Sequence, residues 1–227
     1  MRRGAAPAFA AWLCLLPSGS APDSSPPEVS IAYSRPLDSA CSLIGGSRLD
    51  PEAQAELEAR LPELRRAWAR EGQPVLDRIF ALTGKRLGNG RHQVRLTLCG
   101  IPSSSPFGAI VNMRHALPGF TDRPVPLGYK IAVIDHELLH RLLAGVDLSG
   151  SGLLEAHSAE SRRVRDHLHL FALLKAAFLD LGRASAFEEL VRTDSRLPEP
   201  AYRRAWEIVN AGPGAYLAYV EEVRSAR

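Results

Sequence analysis

Residues 130–145, KIAVIDHELLHRLLAG, would form a helix that is apolar on nearly every side, yet they carry His136, Glu137 and His140. Ile131, Val133, Ile134, Leu138, Leu139, Leu142 and Leu143 leave little of its circumference for water, so this helix belongs inside a folded domain. Two imidazoles and a carboxyl group lose their hydration there, and something must compensate that loss. A metal ion does so. Residues four apart lie one above the other on a helix, so His136 and His140 can share one ion. Glu137 is rotated by about a quarter turn and can reach a water on that ion rather than the ion itself. This HExxH spacing suits a zinc hydrolase, in which zinc acidifies a water molecule and the glutamate takes its proton.

A catalytic zinc takes three protein ligands and keeps one position open. Five of the 7 histidines fall between positions 136 and 169, and the third ligand is sought downstream among Glu155, His157, Glu160, His167 and His169. Residues 153–182 read as one long helix. On it His157, Glu160, Val164, His167 and Phe171 keep the 3, 4, 3, 4 spacing of a single face, with His169 on another side.

HExxH followed by a glutamate 20 residues after the second histidine resembles the gluzincin metallopeptidases, thermolysin among them. The resemblance covers residues 129–171. It implies His136, His140 and Glu160 as ligands of one Zn2+ per chain, Glu137 as the catalytic base, and a peptide or protein as substrate. It also implies a zincin-like fold, with a sheet beside the active-site helix whose edge strand pairs with an extended substrate. Two positions depart from it: Ala159 and Val164 stand where such enzymes have Asn and Asp. A carboxylate orienting a zinc histidine must then come from elsewhere, with Asp135, Glu155 and Asp166 as candidates. His157 and Glu155 or His167 stay open as alternatives to Glu160.

The remaining sequence predicts an α+β domain that is mostly helical. Asp50 and Pro51 open a helix with Leu57, Leu61, Leu64 and Trp68 on one face, which Pro62 should kink or divide. Pro74 starts a second helical piece that Gly84 ends. Val94, Leu96 and Leu98 alternate with polar neighbours as in a strand, and AIVNMRHAL is a second strand, placed to receive a substrate by β-augmentation. Shorter helices follow near Pro200 and after the GPG at 212–214.

The N-terminus reads differently. Arg2 and Arg3, an apolar run to Leu16 and then Pro17 and small residues have the order of a secretory signal peptide over residues 1–20. Residues 21–40, rich in Pro and Ser, are expected to be a flexible leader, and 41–227 a single metallopeptidase domain, secreted or periplasmic. Two of the 28 basic residues lie in the signal segment, which leaves 26 against 25 acidic ones. A chain so near neutrality offers no field for nucleic acid, and no stable membrane insertion is expected after signal removal. Cys41 and Cys99 form an even pair suited to an oxidising compartment. Two rival readings are a zinc-binding envelope protein that binds a partner without catalysis, and a helical protein without metal.

Overall fold

The computed structural model describes residues 28–45, 50–88, 90–105 and 108–227. The proposed signal segment lies outside them. A small sheet and a larger helical layer share one apolar core, which runs from Ile31 to Val223. The α+β, mostly helical class expected from the sequence is the one observed.

The sheet contains β1 (Glu28–Tyr33), β2 (Arg91–Thr97) and β3 (Ala109–Asn112), in that order and all parallel. Residues 28–40, expected to belong to a flexible leader, instead form β1 and the start of a helix. Val29, Ile31 and Tyr33 alternate toward the core, and Ile31 is buried. This six-residue alternation was masked in the sequence by the Pro and Ser around it. Helix α1 (Arg35–Gly45) follows directly. Its buried Asp38 accepts hydrogen bonds from Thr97 Oγ1, from Leu98 N at 3.0 Å and from Tyr33 Oη at 2.7 Å, fastening α1 to the end of β2. Cys41 and Cys99 form a disulfide, with their Cα atoms 5.9 Å apart, that closes the same junction.

Helix α2 (Pro51–Ala67) continues unbroken past Pro62, so it is not divided there. The irregularity falls later, over Trp68–Gly72, as one wide π-helical turn leading into α3 (Gln73–Thr83). Pro74 explains it: a proline has no N–H to give and its ring crowds the carbonyl four residues back, that of Arg70. Arg183 donates to Arg70 O through Nη2 at 3.2 Å, and to the next carbonyl, Glu71 O, through Nη1 at 2.6 Å. Gly72 is required at this turn, because a Cβ there would lie 2.1 Å from the Trp68 ring. Gly84, at φ 69°, then ends α3 in the left-handed region.

The helix carrying HExxH is α4 (Leu127–Leu143). Buried Lys130 donates to Asn112 O at 2.6 Å and thereby joins its first turn to the end of β3. Residues 153–182 are two helices rather than one: α5 (Gly152–Ala156) and α6 (Arg162–Asp180). Ser161 caps the second, its Oγ accepting from Val164 N at 3.3 Å. Helices α7 (Ala184–Asp194), α8 (Pro200–Val209) and α9 (Ala215–Ser225) complete the helical layer. Helix α6 is its axis, with α3, α8 and α9 packed around it and α4 against its first half.

Candidate metal centre

Helix α4 presents His136 and His140 on one face, their Nε2 atoms 3.1 Å apart. Helix α6 brings His167 to the same point, with ring centroids 5.1 Å from His136 and 4.8 Å from His140. One nitrogen from each of the three rings lies within 4.8 Å of the others. His167 is buried, and His136 and His140 are buried in part.

The hydrogen bonds specify the state of His167. Its Nδ1 lies 2.6 Å from Arg163 O, and a carbonyl can only accept, so Nδ1 carries the proton. Nε2 is then a lone pair, and it is buried with no hydrogen-bond partner. An orphaned imidazole lone pair facing two further imidazoles is a donor set for a cation. A backbone carbonyl holding the opposite N–H is the support that metal-binding histidines use. Electrostatics agree. Desolvation pushes His136 well below the ordinary histidine range and His140 down to about 4, and it lowers His167 as well, so all three are neutral as ligands must be. The neighbouring rings add to the depression of His136 and His140. The 3.1 Å separation is close to the ~3.3 Å that two imidazole nitrogens take at a tetrahedral zinc. The cluster can hold a metal ion.

Glu160 is not in it. The break between α5 and α6 puts Glu160 in the intervening turn, where it accepts from Arg204 Nη2 at 2.7 Å and Nε at 2.9 Å. That guanidinium holds its carboxyl below the usual range. The 3, 4, 3, 4 spacing holds from Val164 through His167 to Phe171, all buried, but not across Ser161 to His157 and Glu160. Glu155 is exposed on α5, and His157 ends that helix; neither reaches the cluster. Of the carboxylates expected to orient a zinc histidine, Asp135 is fully buried with neither oxygen hydrogen-bonded. Its carboxyl is pushed well up by burial, against the opposing charge of Arg183. Asp166 stands near enough to raise His140 slightly, without a bond to it.

Glu137 is 4% exposed, and burial alone pushes its carboxyl up to about 8. Tyr202 of α8 packs its ring 4.8 Å from His167 and 5.8 Å from His136. Its hydroxyl is raised to about 12 by desolvation first and then by the charge of Glu137.

No family model, curated protein or solved structure matches this chain. Of the resemblance to gluzincins only the HExxH residues enter the cluster, its glutamate does not, and the third histidine rests on the geometry.

The β3 edge does not offer the substrate groove expected of it. Its outward N–H groups are taken, Ile110 N by Ser104 O at 2.8 Å and Asn112 N by Ser103 Oγ at 3.0 Å. Asn112 Nδ2 holds that loop in place through Cys99 O at 2.9 Å and Ile101 O at 2.5 Å.

Proposed function

We propose that this protein is a zinc-dependent hydrolase of peptide bonds, exported to a secreted or periplasmic location, with His136, His140 and His167 as ligands and Glu137 as general base. The observation that carries the reading is the orphaned Nε2 of His167 facing the HExxH pair, with a buried carboxyl one residue along. Zinc held by three neutral nitrogens supplies a Lewis acid that acidifies water to a pKa of about 7 and polarises a carbonyl. Glu137 accepts the proton of the attacking water and returns it to the leaving amine. Its raised pKa makes it a competent donor in the second step, and the positive charge of a filled site favours the ionised form it needs in the first. Tyr202, whose ring packs against His136 and His167, would be the donor to the carbonyl oxygen as negative charge develops there. The Cys41–Cys99 disulfide supports the compartment, since such bonds persist in oxidising surroundings.

The test is metal analysis of protein purified without chelator, beside His167→Ala, Glu160→Ala and Glu137→Gln, followed by peptide turnover. About one zinc per chain is expected in wild type, Glu160→Ala and Glu137→Gln, and much less in His167→Ala. Turnover should be confined to wild type and Glu160→Ala. Zinc retained by His167→Ala, or lost from Glu160→Ala, would overturn the ligand set.

A further inference from the structure

Beside the histidines lies a cavity of about 670 Å³, in the usual range for ligand pockets of roughly 300–1,000 Å³. His140 and His167 form one part of its wall, and Leu143, Val146, Leu148 and Leu154 give it an apolar side. The start of α6 also lines it, with Arg162, Arg163 and Arg165 beside Asp166. That arrangement runs against local electrostatics. The first turn of a helix is its positive end and favours acidic residues, yet α6 has none there and three guanidinium groups in its first four positions.

Two of the three are neutralised. Arg162 pairs with Asp166 at 3.5 Å, and Arg163 pairs with Glu199. Arg165 is different: no ion pair or hydrogen bond engages its guanidinium among the described residues, and its Nε is buried without a partner. A half-buried guanidinium on the wall of a cavity, at the positive end of a helix and with its Nε shielded from water and unpartnered, carries a cost that is offset when an anion completes it. Local rules broken in this way are expected where a ligand restores the balance.

We infer that this cavity seats a carboxylate of the substrate, bound by Arg165, with the apolar residue that bears or precedes it packed on Leu143, Val146, Leu148 and Leu154. The inference deepens the peptidase reading and rests on it for the position of the reacting bond at His140 and His167. The carboxylate has two sources, a free C-terminus or an acidic side chain next to the scissile bond. A planar guanidinium grips either by two parallel hydrogen bonds.

The experiment is calorimetric titration of the zinc-loaded Glu137→Gln protein with three probes: acetyl-Ala-Ala-Leu as the free acid, the same peptide as its amide, and acetyl-Ala-Ala-Glu amide. At least one carboxylate-bearing probe should bind about tenfold tighter than the neutral amide, as a charged hydrogen bond of this kind implies. Whether the free acid or the Glu probe gains assigns the source. Adding Arg165→Gln should abolish the preference while leaving zinc content unchanged, and Arg165→Lys should restore part of it. Equal binding of the three probes, no binding of any, or a preference that survives Arg165→Gln each overturns the inference. Failure of the peptidase reading shows separately, as absence of turnover by wild type whatever the titrations give.

Discussion

Asp194, 5% exposed, accepts hydrogen bonds from Tyr129 Oη at 2.8 Å and Trp206 Nε1 at 2.9 Å, yet burial still pushes its carboxyl up to about 6. The two donors oppose the shift without cancelling it. A folded-state pKa above the unfolded value of 3.8 means that the native state holds its proton more tightly. The stability this contributes is complete below pH 3.8 and is lost as the pH rises through 6. Urea unfolding of wild type and Asp194→Asn should show the wild type's relative stability falling by about 2 kcal/mol between pH 4 and pH 7. A pH-independent difference would mean that Asp194 is ionised throughout. Tyr202 makes a second test at this scale. Tyr202→Phe keeps the ring packed on His136 and His167 but removes the hydroxyl, so kcat should fall by about 10²-fold with zinc content unchanged. An unaltered kcat would return Tyr202 to packing alone.

At the scale of elements, the path from α2 to α3 is one helical rod whose fault is repaired from a distance. Arg183, at the junction of α6 and α7, donates to two carbonyls of the π turn and is a cation whose charge opposes the effect of burial on Asp135. Arg183→Ala removes both services, leaving two carbonyls without their donor and Asp135 without its opposing charge. Chemical denaturation should register a loss of about 2–4 kcal/mol, against under 1 kcal/mol for an exposed arginine such as Arg224. No local signal announces that repair, because Pro74 and Arg183 are over a hundred positions apart. The same distinction separates what was legible at the metal centre from what was not. His136, Glu137 and His140 share one uninterrupted helix, so their spacing carried their geometry. His167 and Phe171 were assigned to the correct face of α6, while Glu160 was carried onto that face through a helix break. Ser161 was the available sign of the break, but Val164 three residues on gives it no reciprocal capping partner. Strand β1 was obscured for a related reason: six alternating residues weigh little beside Pro and Ser neighbours, and their burial depends on pairing with a strand 63 positions away.

Across the whole molecule, α1 is the element with the weakest apolar hold on the core. Leu43 and Ile44 near its end are 87% and 90% exposed, and its attachment is polar and covalent, through Asp38 and the Cys41–Cys99 bond. The histidine cluster stands on α4 and α6, neither of which carries a cysteine. Stability and metal binding should therefore respond separately to reduction. With 58 positions between the cysteines, the bond removes about 4 kcal/mol worth of freedom from the unfolded chain. Cys41→Ser/Cys99→Ser protein, or wild type under dithiothreitol, should unfold at a lower urea concentration by that order, while zinc stoichiometry measured in the folded baseline stays at about one. An unchanged midpoint would show that Asp38 alone secures α1. Loss of zinc in the folded state would show that the sheet end of the molecule is mechanically coupled to α4, through the Lys130–Asn112 bond that joins β3 to its first turn.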